Sequence, residues 1–139
     1  MRIDGRRRWW AGIAVMLVLA GCAGTSTGTA VPVTDLANVA GKWTGLLEVA
    51  GSQDREEFVE LTVDGSGAYR AVTARTIGVL DNQGKVDVIS DGKLLFKGDR
   101  GSQATATLLS QASQPQRTLV VQGTTASGRP FQARLRQQP

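Results

Sequence analysis

Histidine is absent from the 139 residues of this chain, and cysteine occurs only once, as Cys22. The absence of histidine excludes Ser-His-Asp triads, Cys-His pairs and the usual zinc sites. The single cysteine excludes a disulfide within the chain. Aromatic residues are also few, because only five follow position 21: Trp43, Phe58, Tyr69, Phe96 and Phe131. We therefore expect a non-enzymatic protein that holds no metal, needs no cofactor and does not bind nucleic acid.

One cluster of acidic residues comprises Asp54, Glu56, Glu57 and Glu60. Paired carboxylates can serve as acid and base in glycoside hydrolysis. This cluster, however, coincides with a predicted turn and the polar side of a predicted strand, where charge hinders edge-to-edge association of sheets. We interpret it as a solvated, charged edge.

No apolar run reaches the ~20 residues that a membrane-spanning helix needs. The apolar residues 11–20 follow a basic segment that contains Arg6, Arg7 and Arg8. A short apolar stretch behind a positive cluster is typical of a secretory signal peptide. We expect residues 1–21 to be this signal peptide.

Residues 19–22, L-A-G-C, overlap the end of this apolar run. They resemble the lipobox of bacterial lipoproteins, in which a leucine and two small residues precede the cysteine that becomes lipidated. The resemblance implies cleavage between Gly21 and Cys22, a diacylglycerol on the Cys22 thiol and an acyl chain such as palmitate on the new N-terminus. Two or three acyl chains anchor a protein firmly, since each buried CH₂ contributes about 0.8 kcal/mol.

The residues after the lipobox bear on location and on the start of the domain. Ala23 and Gly24 follow Cys22, so no aspartate is present there. In the enteric-type sorting scheme such an aspartate retains a lipoprotein in the inner membrane, so its absence favours the periplasmic face of the outer membrane in a Gram-negative host. Residues 22–34 are small and uncharged, which indicates a lipidated cysteine followed by a flexible tether. Residues 35–139 then form a single domain.

The basic character of the chain belongs mainly to the signal peptide. Removing residues 1–21 takes away four of the 16 basic residues and one of the 12 acidic residues, which leaves 12 and 11. The high pI is therefore no evidence for nucleic-acid binding. Charge is nevertheless sorted along the chain, because residues 100–139 hold five arginines and no acidic residue.

Short alternating segments separated by Gly, Asn, Asp, Ser and Pro predict strands and tight turns. A helical turn capped by Thr34 or Asp35 precedes them, with Leu36 and Val39 facing inward. The predicted strands are Lys42–Ala50, Glu56–Asp64, Ala68–Thr76, Lys85–Ile89, Lys93–Lys97, Gln103–Ser110, Arg117–Gly123 and Pro130–Arg136. Such short connections favour antiparallel neighbours, and no long amphipathic helix is present to cover a sheet. We expect an all-β meander of about eight strands, which forms a closed or partly closed barrel rather than a sandwich.

The first strand begins with Gly41-Lys42-Trp43 after the possible helical turn. This arrangement resembles the G-x-W start of calycins, the lipocalin and avidin-like barrels. In those families the tryptophan plugs one end of the barrel, so the resemblance implies the same role for Trp43.

The arginines near the C-terminus are the candidate interaction residues. In Pro130–Arg136, alternation places Arg134 and Arg136 on the face opposite the apolar residues. This pattern fits ordinary solvation of an outer barrel face. It also fits a basic patch, extended by Arg117 and Arg129, that meets an anionic lipid or an acidic envelope protein.

Two functions remain open. The first is a non-enzymatic interaction or assembly module that is tethered to the membrane of the cell envelope. The second is a carrier or sensor that holds a small apolar ligand in a calycin-like cavity. An open apolar pocket of a few hundred Å³ would indicate the second function. The first is indicated by an interior packed solid with the side chains of Trp43, Leu47, Val59, Leu61, Phe96, Leu119, Phe131 and Leu135. The first is our main expectation.

Overall fold

The computed structural model describes residues 28–51, 56–73 and 83–139. These residues form nine strands and one short 3-10 helix, Leu36–Asn38. The strands are β1 (Thr29–Val31), β2 (Gly41–Val49), β3 (Glu57–Val63), β4 (Ala68–Thr73), β5 (Gln83–Val88), β6 (Leu94–Gly98), β7 (Gln103–Gln111), β8 (Gln114–Thr124) and β9 (Pro130–Gln137). Within the described ranges, no helix is long and apolar enough to cross a bilayer.

Strands β2 to β9 form a closed antiparallel barrel in which neighbours in sequence are neighbours in space. The barrel closes where β2 pairs with β9, from Trp43 opposite Gln137 to Val49 opposite Phe131. Each connection between consecutive strands from β2 to β9 has nine residues or fewer, which is too short to cross to a parallel partner. The expectation of an all-β, antiparallel, eight-stranded meander is therefore confirmed, and the barrel is fully closed.

The turn between β3 and β4 illustrates how local residues set this topology. The Asp64 carboxylate accepts hydrogen bonds from the backbone N–H groups of Ser66 and Ala68 at 2.8 and 3.0 Å. Gly67 then adopts a φ of +86°, a conformation that costs glycine little and other residues more. The chain thus reverses within four residues, through the side chain of Asp64 and the backbone conformation of Gly67.

The segment before the barrel differs from the predicted tether. β1 pairs with Leu108–Ser110 of β7, beyond the stretch Gln103–Ala106 that pairs with β6. Val33 is only 1% exposed, and its N–H donates to the carbonyl of Gly92 at 2.8 Å. The prediction that the tether extends to residue 34 is thus wrong for residues 29–34. They join the fold because β6 leaves part of β7 without a partner and because Val33 has apolar side chains to contact.

This segment runs across the end of the barrel where β2 starts, which we call the Trp43 end. Trp43 is fully buried, and its indole Nε1 donates to the carbonyl of Val39 at 2.9 Å. The other largest fully buried side chains are Val33, Val39, Val86, Leu94, Leu108 and Leu119. The strand residues among them all lie in the half of the barrel next to this end. The Trp43 end is therefore packed with side chains, and the predicted helical turn, which Asp35 caps, is part of it.

Candidate functional site

The opposite end of the barrel, where β9 starts, has several small inward-facing residues among larger ones such as Leu47 and Phe131; we call it the Phe131 end. Strand alternation points the following residues into this half of the barrel: Ala71, Gly84, Ala104, Gly123 and Ala133. An eight-stranded barrel is just wide enough to be filled by side chains or to hold one small ligand. Small residues on five strands therefore leave space that the Trp43 end does not have.

A cavity of about 100 Å³ occupies this half of the barrel. Its walls are Leu47, Val59, Leu61, Tyr69, Ala71, Thr73, Phe96, Ser102, Ala104, Val121, Phe131, Ala133 and Leu135. Most of these side chains are hydrocarbon. The cavity reaches the Phe131 end of the barrel at Thr73, Ser102 and Phe131, which lie at or beyond strand ends.

Tyr69 and Phe96 form the aromatic part of the wall. Their ring centroids are 5.3 Å apart, and the rings meet edge to face at 66°, which is a favourable arrangement for aromatic pairs. Gly84 lies beneath this pair, and a Cβ there would come within 2.8 Å of Tyr69 Cε1. The glycine thus allows the tyrosine ring to lie close to the backbone of β5.

The cavity has few polar groups. The hydroxyl-bearing residues of its wall are Tyr69, Thr73 and Ser102, and none of the described residues that line it is a cysteine, an aspartate or a glutamate. Among the described residues, no group of three or more histidine, cysteine, aspartate or glutamate residues could hold a metal ion. The arrangement can sequester an apolar molecule by removing its surface from water, and its hydroxyl groups can contact a polar end of that molecule.

Glu57 is placed differently from the solvated acidic edge that the sequence indicates. It is 5% exposed and opposes Leu47 of β2. The interpretation as a solvated carboxylate is therefore wrong for Glu57. This residue lies two positions before the buried Val59 on β3, so strand alternation points its side chain inward. Glu60 does face outward and forms an ion pair with Lys42 at 2.9 Å, and Asp54 lies outside the described residues.

The four candidate arginines occupy three separate environments. Arg134 and Arg136 are exposed on the outer face of β9. Arg117 has the inward parity of Leu119, and its Nε donates to Gln137 Oε1 at 2.9 Å near the Trp43 end. Arg129 lies in the β8–β9 turn at the Phe131 end and donates to the carbonyl of Ala50 at 2.8 and 3.1 Å. Only Arg134 and Arg136 share a surface.

Gly21 and Cys22, the candidate cleavage and lipidation residues, lie outside the described residues, as do the expected signal peptide and residues 22–27 of the expected tether. The main expectation, an interaction module with a solidly packed barrel, did not include this cavity. Its signal in the sequence is the alternation of Ala104 and Ala133 with polar residues, which places small side chains where strands normally present large ones.

Comparison with known proteins identifies no family model, no curated protein and no solved structure that matches this chain.

Proposed function

We propose that the barrel binds a small apolar ligand in the cavity at its Phe131 end. The observation that carries this proposal is the division of the interior into a filled half and a hollow half. Of the eight side chains expected to fill a solid barrel, six border the cavity instead: Leu47, Val59, Leu61, Phe96, Phe131 and Leu135. The cavity is smaller than the few hundred Å³ typical of ligand pockets, so its apolar lining favours a carrier or sensor of a correspondingly small ligand.

The size of the cavity limits the class of ligand. An apolar cavity of about 150 Å³ accommodates benzene, and the cavity here is about 100 Å³. Because this volume is smaller than the one that holds benzene, a short alkyl chain is the expected ligand, and a fused-ring ligand does not fit. Because the cavity reaches the barrel end, a polar group on such a ligand lies toward Thr73 and Ser102, while its hydrocarbon part lies against Tyr69 and Phe96.

A titration with n-hexanol tests the proposal. Within the part of the chain that the structure describes, the buried core runs from Val33 to Leu135, so solution measurements use a fragment of residues 28–139. We expect saturable methyl chemical-shift changes at Leu47, Val59 and Leu135. The variant Ala133→Leu fills the cavity and is expected to abolish these changes, whereas Thr105→Leu adds the same side chain on the outer face.

If Ala133→Leu does not fold, Ala71→Leu provides the same obstruction from β4. Equal hexanol binding by the wild-type fragment and by a folded cavity variant would contradict the proposal. Equal loss of binding in Thr105→Leu would contradict it as well, because that side chain lies on the outer face and does not enter the cavity.

We further propose that the protein is a lipoprotein anchored in the bacterial cell envelope through diacylglycerol and N-acyl chains on Cys22. The L-A-G-C sequence behind a basic and apolar segment supports this. Metabolic labelling with a radioactive or alkynyl fatty acid is expected to mark the wild type and not Cys22→Ser. Absence of label in the wild type would refute the anchor without affecting the cavity.

The interaction or assembly module is the second candidate function. The exposed apolar side chains Leu46, Phe58 and Val72 favour it, because such residues on neighbouring strands mark contact surfaces. A module of this kind requires only the outer surface, so Leu46→Ser and Phe58→Ser would impair it while leaving hexanol binding unchanged.

A further inference from the structure

The short strand β1 fixes the place where the preceding chain joins the fold. It runs antiparallel to the last part of β7, with Thr29 opposite Ser110. Gly28 lies beside the end of β7, because a Cβ on it would come within 3.6 Å of Gln111 Cγ. β7 starts next to Ser102 at the Phe131 end and finishes at Gln111, on the opposite side of the barrel. The chain therefore enters the fold at the Trp43 end.

The turn of the β7–β8 hairpin projects at this same end, beyond the neighbouring strands. β6 pairs with β7 only as far as Ala106, and β9 pairs with β8 only from Thr118 onward. We call residues 110–116, which lie past both limits, the hairpin tip. Residues 101–116 contain no charged side chain, and residues 112–116 are exposed. The Trp43 end thus presents an uncharged polar tip next to the point where the chain enters.

We propose that the barrel stands on the lipid bilayer with its hairpin tip against the bilayer surface, so that the cavity at the Phe131 end opens to the aqueous space. This orientation rests on the proposed lipid anchor at Cys22. Because β1 belongs to the fold, only residues 23–28 separate that anchor from the barrel. The predicted tether, which ended at residue 34, would have been twice as long.

The length of this connection determines which end can face the bilayer. Whatever their conformation, residues 23–28 span at most about 21 Å. β8 (Gln114–Thr124) runs from the hairpin tip to the Phe131 end over 11 residues. With a rise of about 3.3 Å per residue and a strand tilt of about 40°, it covers about 25 Å along the barrel axis. The connection is therefore too short for the Phe131 end to face the bilayer.

The composition of the hairpin tip suits contact with lipid headgroups. Its serine and glutamine side chains both donate and accept hydrogen bonds, so they can contact the phosphate and ester groups of lipids. Moving an uncharged tip into the headgroup layer removes no charge from water, which would be costly. The contact also needs no anionic lipid, and salt screening does not weaken it.

The orientation restricts the source of the cavity ligand. The cavity reaches the surface at Thr73, Ser102 and Phe131, at the end that points away from the bilayer. A ligand enters from water instead of from the lipid phase. A cavity of about 100 Å³ fits this source, because short alkyl compounds dissolve in water better than long ones. This consequence rests on the proposed ligand-binding function, whereas the orientation itself does not.

Two matched fluorescent labels on the lipidated full chain in phosphatidylcholine vesicles test the orientation. Ala112→Cys places the label on the β7–β8 turn, and Ala126→Cys places it on the β8–β9 turn at the Phe131 end; both alanines are exposed. We expect a quencher attached to lipid headgroups to reduce the fluorescence of the Ala112→Cys label and to leave the Ala126→Cys label unchanged, at low and high salt alike. The unsubstituted chain, treated with the same reagent, gives any background from Cys22.

Two matched length variants make the test specific. A Gly-Ser insert of about twelve residues between Gly24 and Thr25 extends the connection to about 18 residues, which span up to about 60 Å. The same insert added after Pro139 leaves the connection unchanged. We expect the first insert to expose the Ala126→Cys label to the quencher and so reduce the difference between the two labels. The second insert should preserve that difference.

Equal quenching of the two labels in the chain without an insert, or stronger quenching at Ala126→Cys, would overturn the proposal. An undiminished difference after the insert at Gly24 would overturn it too, because the length of the connection would then not set the orientation. Loss of the difference at high salt would indicate electrostatic attraction instead. Fatty-acid labelling of Cys22 and hexanol binding by residues 28–139 are measured separately, so failure of the orientation is distinguishable from failure of the anchor or of the cavity.

Discussion

At the scale of single residues, side-chain size decides which half of the barrel is filled. Trp43 occupies the inward position of β2 near one end, and Ala133 occupies an inward position of β9 near the other. Both positions follow the same strand alternation, so burial alone does not distinguish them. The difference between the indole and the methyl group produces a closed end at Trp43 and a cavity at Ala133.

Trp43→Phe is expected to destabilise the barrel by about 2–4 kcal/mol. The substitution removes the indole donor to the buried carbonyl of Val39 and leaves space beside Val33. Urea denaturation followed by circular dichroism measures the change in the free energy of unfolding. A loss below about 0.5 kcal/mol, the size typical of surface substitutions, would show that Trp43 does not hold the Trp43 end together.

Residue parity was predictable from the sequence, but distances across the barrel were not. Alternation correctly assigned Val59, Leu61 and Leu135 to the interior. The same alternation, extended two residues back from Val59, also assigns Glu57 to the interior. Its charge had instead suggested exposure to solvent. Whether inward side chains meet or leave a gap depends on barrel width, and the sequence pattern does not contain that quantity.

At the scale of elements, hairpins were predictable and the N-terminal segment was not. The predicted bounds of β2, β7 and β9 differ from the observed bounds by at most one residue at either end. β8 begins earlier, at Gln114, because its hairpin with β7 continues past the predicted turn. β1 has only three residues and no alternation, so its pairing with β7 depends on an edge that exists only in the folded barrel.

Val33→Ala tests whether this N-terminal segment contributes to stability. Val33 is buried against the closed end, so its loss is expected to cost about 1–3 kcal/mol. Val72→Ala is the matched control, because the same change at a half-exposed position should stay within about 0.5 kcal/mol. Equal free energies of unfolding for the two variants would mean that residues 29–34 are not anchored.

The β3–β4 hairpin gives a pH dependence. The hydrogen bond from the Ser66 side chain, followed by that from the Ala68 backbone, holds the pKa of Asp64 below its ordinary value of 3.8. Because the folded pKa lies below the unfolded one, Asp64 contributes stability above the unfolded pKa. This contribution is lost as the pH falls through the folded pKa.

We therefore expect unfolding free energy to decline less steeply on acidification in Asp64→Asn than in the wild type, from about pH 5 downward. Ser66→Ala removes the hydroxyl donor at 2.6 Å and should give an intermediate slope. Denaturation curves recorded at a series of acidic pH values provide the slopes. Superimposable pH profiles for the three proteins would exclude a role of this hairpin in acid stability.

At the scale of the whole molecule, closure of the sheet separates an apolar interior from an outer wall on which Leu46 and Phe58 are exposed. The same strands β2 and β3 line the cavity on one side and carry these two side chains on the other. Binding in the cavity and contact through the outer wall are therefore separable by substitution.

Calorimetric titration of residues 28–139 with a series of n-alcohols of increasing chain length measures how the cavity selects its ligand. Each added CH₂ that enters the cavity contributes about 0.8 kcal/mol, so affinity should rise about fourfold per carbon. The rise should stop once the chain fills the cavity of about 100 Å³, and Ala133→Leu should stop it at a shorter chain. A rise that continues without a limit, or an identical profile in Ala133→Leu, would contradict ligand binding inside the barrel.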